Sequence, residues 1–167
     1  MAQEVASQLG PVEVLVNNAG VGIFGDVAGF GPAAWDATIA TNLSGAFYLT
    51  RAVLPGMTAR RSGHIVSIGS VAGHRGFAGG AAYVASRHGL RGFHECVMLD
   101  ARPYGVRCTL ISPGSVDTPF FDAGKERGWM LAPGDVADAV AYALDATGNA
   151  LVDEVLVRPI SPPKPGG

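Results

Sequence analysis

The sequence has little that would tie it to a nucleic acid, a membrane or an oxidising compartment. Twelve Lys and Arg stand against fourteen Asp and Glu, for a net charge of −2, and no basic run exceeds Arg60-Arg61. Without a basic patch there is no footprint for a phosphate backbone, which excludes a nucleic-acid partner. No apolar stretch approaches the ~18 residues of a transmembrane helix, so no membrane association is expected. The opening Met1-Ala2-Gln3-Glu4 carries neither a basic head nor an apolar run, so no signal peptide is expected. Cys96 and Cys108 are the two cysteines. They are too few for a disulfide framework and lack metal-ligand spacing, which suits a reducing cytoplasm with both as small buried residues. Lysine is also scarce: ten of the twelve basic residues are Arg, and the others are Lys125 and Lys164.

What is present is a core. Of 167 residues, 48% are hydrophobic and 16% charged, enough for one folded domain. Apolar, β-branched runs at 12–16, 64–68, 106–111 and 154–157 read as buried strands. Between them lie helical stretches at 32–61, 81–102 and from Asp135, which is placed as an N-cap ahead of the stripe Val136, Ala139, Val140, Ala143 and Leu144. Pro32 suits a first helical position, Pro55 a kink, and Gly63 and Gly148 the stops. Strand alternating with helix implies α/β architecture: a doubly wound parallel sheet of about four strands with right-handed crossovers. Ligands of such sheets bind beyond the carboxyl ends of the strands, where this sequence places loops of Asn, Ser, Gly and Pro. Residues 1–158 form the domain, and 159–167, with four prolines in nine residues, a flexible tail.

Gly20-x-Gly22-x-x-Gly25 matches the dinucleotide fingerprint letter for letter, yet its context is wrong. The fingerprint's last glycine belongs to a helix whose N-terminus holds a pyrophosphate. Here Asp26 to Gly31 intervenes before Pro32, so a flexible loop is the expectation. Of the four histidines, His74, His88 and His94 could invite a metal reading, but their spacing fits no ligand pattern, and no metal is expected.

A stronger signal precedes that loop. Asn17-Asn18-Ala19-Gly20 follows the first strand, Asn42 sits in Thr41-Asn42-Leu43-Ser44-Gly45, and Ser70 stands thirteen residues before Tyr83. Tyr83-Val84-Ala85-Ser86-Arg87 and Pro113-Gly114-Ser115-Val116-Asp117-Thr118 complete the series. In this order the segments resemble the short-chain dehydrogenase/reductase family over essentially the whole chain, implying the C-terminal portion of a Rossmann-like domain.

The resemblance implies an NAD(P)-dependent oxidoreductase acting on an alcohol/carbonyl pair, a small-molecule substrate. Hydride transfer to a carbonyl leaves an alkoxide that needs a proton, and the reverse reaction needs a base. A free phenol titrates near ~10, so such work near neutral pH calls for a nearby cation. Positions 83 and 87 are one helical turn apart and face the same way. Tyr83 is thus the implied acid/base, Arg87 its cation, Ser70 the donor to the substrate oxygen. Asn42, at a break between helical segments, is expected to hold a relay water through backbone and side chain. The cofactor-facing residues implied are Asn18, Ala19, Gly20, Tyr83, Arg87, Pro113, Gly114, Val116 and Thr118, with NAD or NADP as cofactor. Ser67, three residues earlier than Ser70, lies within the strand and is expected to be packed. The stretch 120–130, with Phe121 and Trp129, resembles the family's variable substrate lid, and its aromatics suggest an apolar substrate.

Two departures qualify the match. The family's T-G-x-x-x-G-x-G phosphate loop, with its flanking strands, has no counterpart in these residues, so strand 12–16 is expected to leave an apolar edge that something must cover. Arg87 stands where the family carries lysine; it keeps the charge but is a bulkier, planar donor that does not deprotonate. The alternative reading is a non-catalytic association module. In either case the helices over 43–61 and 81–102 resemble those by which the family pairs its subunits. A homodimer or homotetramer is expected, with Gly45, Ala46, Ala82, Ala85 and Gly89 permitting close helix contact.

Overall fold

The computed structural model describes residues 2–120 and 128–161. Its elements run α1 (Ala2–Leu9), β1 (Val14–Asn17), α2 (Pro32–Ile39), a π turn (Ala40–Ser44), α3 (Gly45–Arg60), β2 (Gly63–Ile68), a 3-10 turn (Val71–Gly73), α4 (Ala81–Ala101), β3 (Val106–Pro113), α5 (Pro133–Leu144) and β4 (Glu154–Val157). The four strands form one parallel sheet in the order β1-β2-β3-β4. The sheet is therefore α/β and doubly wound, with every crossover made by helix.

Strand alternation divides the core into two layers. Ile65, Val106 and Cys108 face α3 and α4, where Val53, Met57, Val97 and Ala101 close over them. Val66 and Ile111 face the opposite side and meet Ala143, Val136, Ala139, Val140 and Leu144 of α5. Each of the larger side chains that is fully removed from water, such as Met57, Ile65 or Ile111, contributes roughly 1.5–3 kcal/mol before entropy is counted. β1 is covered on one face only: Leu15 packs against the α3/α4 layer, whereas Val14 and Val16 are each 43% exposed. The uncovered surface is thus a strand face as well as an edge.

Several expectations are corrected. α5 begins at Pro133, with Ala132 as its cap, because Asp135 occupies the third helical position. From there its carboxylate accepts a 2.7 Å hydrogen bond from the Ala132 N–H. Asp is favourable at both positions, and proline at the first helical position decides between them. The same helix ends at Leu144, ahead of Gly148. Residue 42 lies in a π turn within one continuous helical path, so no break separates the segments. Cys108 is buried but Cys96 is exposed, on the outward side of α4. Of the small residues expected at a subunit contact, Ala46 and Ala82 are buried within this chain and a Cβ at Gly89 would meet Leu43 Cδ2 at 2.8 Å, while Gly45 and Ala85 are half-buried. Of the tail, Ile160 is fully exposed, and residues 162–167 lie outside those described.

Candidate active site

The carboxyl ends of β1, β2 and β3 open into a cavity of about 880 Å³. Its walls include Asn18 and Gly20 after β1, Ser70 after β2, Tyr83 and Arg87 from α4, and Pro113, Gly114, Val116 and Thr118 after β3. Residues scattered over a hundred positions of sequence therefore share one space. Ala19 does not line it and is exposed. Phe120 is part of the wall, while Trp129 is half-buried outside it; Phe121 lies outside the described residues.

Each side chain is held by local structure. Ser70 is the extended cap of the 3-10 turn, and its Oγ accepts a 3.1 Å bond from the Ala72 N–H. That bond uses a lone pair and leaves the hydroxyl hydrogen free to donate. Ser67 is 2% exposed within β2 and does not reach the cavity. Tyr83 stands in the first turn of α4. Arg87, one turn on, is only 6% exposed, with its guanidinium carbon 5.1 Å from the centroid of the Tyr83 ring. Its Nη1 donates to the Ile68 carbonyl at 3.0 Å, whereas Nε is buried without a partner. Gly20 is required beside it, since a Cβ there would lie 2.6 Å from Nη2. A buried cation with an unsatisfied donor is costly, and an oxygen-rich ligand in the cavity would relieve that cost.

Asn42 is 1% exposed and does not line the cavity. Its Nδ2 donates to the Val21 carbonyl at 2.9 Å and to Ser86 Oγ at 3.0 Å, and its Oδ1 accepts from the Val21 N–H at 2.8 Å. Ser86 in turn donates to the Tyr83 carbonyl at 2.7 Å. Both amide hydrogens are committed, so the side chain is a brace between the β1 loop and the first turn of α4.

Sequence reasoning gave no role to Ser86, quoted only within its motif, or to the phenylalanines Phe24 and Phe77, which line the cavity. The signal for them was faint: single phenylalanines within glycine-rich loops. The histidines are engaged separately. His74 Nε2 meets Glu154 at 2.8 Å, His88 Nδ1 donates to the Val84 carbonyl at 3.0 Å, and His94 approaches Asp153 at 3.4 Å. Burial opposes charge on Glu154, but the Ser112 hydroxyl, His74 and Arg91 together hold its carboxyl below the usual range. No group of three potential metal ligands occurs among the described residues, nor a helix long and apolar enough to cross a membrane.

Comparison with known proteins places this geometry in context. The family model for short chain dehydrogenase matches residues 1–127. Sepiapterin reductase of Chlorobaculum tepidum is 36% identical over 163 residues, covering 96% of this chain and 67% of that protein. Human retinol dehydrogenase 8 is 42% identical over 120 residues, 72% of this chain and 39% of its own. Among solved structures, a metagenomic short-chain oxidoreductase in complex with NADP superposes with a TM-score of 0.82 at 39% identity, over 96% of this chain and 67% of that one. A gluconate 5-dehydrogenase from Burkholderia cenocepacia, in complex with NADP and tartrate, gives 0.84 at 25% identity, over 94% and 67%. The chain spans about two thirds of the length of most of these proteins.

Proposed function

Since the chain belongs to the short chain dehydrogenase family, we propose that it carries the chemical half of an NAD(P)-dependent oxidoreductase site for an alcohol/carbonyl pair. The observation that carries this reading is the convergence of Ser70, Tyr83 and Arg87 on one cavity with Asn18, Gly20 and the segment from Pro113 to Thr118. Those residues fit a nicotinamide nucleotide: the cavity is large enough for a ring and its ribose, and the unpartnered Nε of Arg87 calls for an oxygen acceptor. Asn18, Gly20, Pro113, Gly114, Val116 and Thr118 would hold it, with Arg87 toward its hydroxyls. When bound, the nucleotide supplies or accepts the hydride.

The chain's own part is proton chemistry and orientation. Ser70 donates a hydrogen bond to the substrate oxygen and stabilises the charge that develops there. The Tyr83 hydroxyl gives that oxygen its proton in reduction and takes it back in oxidation. Arg87 lies over the Tyr83 ring, its guanidinium carbon 5.1 Å from the centroid, and its bond to the Ile68 carbonyl fixes the charged group there. Asn42 positions the β1 loop relative to Tyr83 through Val21 and Ser86, which keeps the donor set in register. Incubation with NADH or NADPH and a panel of ketones, following nucleotide oxidation, tests the reading. Turnover of at least one ketone supports it; none at saturating nucleotide favours the non-catalytic module.

Association is a second element of the proposal. Phe47, Tyr48 and Leu99 are 43%, 63% and 53% exposed on α3 and α4. Phe47 also meets Tyr48 at 5.4 Å in a tilted arrangement and Phe93 at 6.1 Å edge-on. Exposed apolar side chains on these two helices suit a homodimer or homotetramer, with aromatics contributing to the contact. Light scattering at high concentration reads the mass directly, and a stable monomer would remove this element.

A further inference from the structure

We propose that the aromatic rings around Tyr83 select the substrate: a carbonyl or carbinol borne directly on a flat apolar ring, an aryl ketone or its alcohol. This rests on the reading of Tyr83 as the residue facing the reacting oxygen. The Tyr83 ring meets two others, Phe24 at 5.6 Å and 65° and Phe120 at 5.8 Å and 59° between ring centroids and planes. Phe77 extends the cluster, 5.9 Å from Phe24. These are the tilted and edge-on geometries that aromatic quadrupoles favour, and a further ring can join them in the same manner. Phe24 and Phe77 remain 42% and 50% exposed, so the cluster presents apolar area to the cavity instead of burying it in the core.

The backbone is arranged to permit this. A Cβ at Gly22 would lie 2.5 Å from Phe120 Cε1 and 2.9 Å from Phe24 Cζ, and one at Gly80 would lie 2.6 Å from Phe77 Cε2. The G-x-G-x-x-G spacing thereby acquires a physical account unrelated to phosphate. Gly20 admits Arg87, Gly22 admits two phenyl rings, and a Cβ at Gly25 would sit 3.2 Å from Phe30. Phe24, Tyr83 and Phe120 line the same cavity, so in this proposal a substrate whose oxygen meets the Tyr83 hydroxyl sets its carbon substituents against the two phenyl rings. Among the described wall residues there is no carboxylate and no lysine; Arg75, beside Phe77 and exposed, is the one charge other than Arg87. A neutral ring therefore matches the interior, and a keto acid held by Arg75 is the competing occupant.

The test is an NMR titration of the full chain, without nucleotide, against acetophenone, cyclohexyl methyl ketone and pyruvate. Acetophenone is expected to bind most tightly, and Phe24→Leu and Phe77→Leu, which keep apolar bulk but remove the ring, each to weaken it by about fivefold. Both positions are half-exposed, and amide spectra verify that the variants fold. Equal binding of the aryl and cyclohexyl ketones, tighter binding of pyruvate, or unaltered affinity in both variants would overturn the proposal. The titration needs no turnover, so the two readings separate. An inactive chain that still prefers acetophenone removes the proton-transfer reading; an active one indifferent to the ring removes this one.

Discussion

Acidification is expected to unfold this protein through His64. The residue is 3% exposed in β2, where Nε2 lies 2.8 Å from Thr109 Oγ1. Thr109 donates its own hydrogen to the Val152 carbonyl at 2.6 Å, so His64 is assigned the tautomer that donates from Nε2. Its Nδ1 is buried without a partner, leaving no acceptor for a second proton. Burial, reinforced by the positive charge of Arg107, lowers the His64 pKa from 6.5 to about 4. Between those values the unfolded chain binds a proton that the folded chain refuses, so stability falls as the pH drops and is fully present above 6.5. At about 1.4 kcal/mol per pH unit, the loss from pH 6.5 to 4 is about 3 kcal/mol, a large share of a typical domain's stability. Burial also lowers His94 despite its contact with Asp153, adding in the same direction. Urea unfolding at a series of pH values measures the slope, and His64→Leu isolates the residue. The variant is expected to lose most of the pH dependence over this window while Thr109 keeps its bond to Val152. A variant as acid-sensitive as the parent would refute the assignment.

Other consequences follow from particular contacts. Gly20→Ala drives a Cβ to 2.6 Å from the pinned Arg87 guanidinium and should cost about 1–3 kcal/mol in thermal unfolding. A thiol reagent should label Cys96 rapidly and Cys108 only on unfolding, since burial pushes the Cys108 thiol up to about 12; mass spectrometry counts the labels. Arg87→Lys should keep the fold and raise kcat, a compact ammonium replacing the planar fork, whereas Arg87→Met should lower kcat/KM by about tenfold or more through loss of the charge. Steady-state kinetics separates the pair, and an Arg87→Met enzyme of undiminished rate would make position 87 structural.

Much of this architecture was legible because period and composition carry it. Residues 64–68 and 154–157 are short β-branched runs with one possible assignment, and the α5 stripe has the spacing of a helix face. The order of Asn18, Ser70, Tyr83 and Arg87 along the chain likewise told which loops meet. The misplacements have physical causes. Asp135 satisfies two helix-start rules, and nothing local weighs it against Pro133. Cys96 falls on a polar side of α4 that a small apolar residue does not reveal. Asn42 marked a site, but its braces, Val21 and Ser86, are 21 and 44 residues away and visible only after folding. Phe24, Phe77 and Phe120 lie in loops without periodicity, so their convergence on Tyr83 is a property of the tertiary structure alone.

The role of Tyr83 is tested most directly by removing one oxygen atom. Tyr83→Phe retains the ring beside Phe24 and Phe120 and the face toward Arg87, and it deletes only the group that moves the proton. With a ketone turned over by the parent chain and saturating reduced nucleotide, the variant is predicted to lose at least about a hundredfold in kcat while the fold is unchanged. A Tyr83→Phe chain that oxidises the nucleotide at the parental rate would contradict the account.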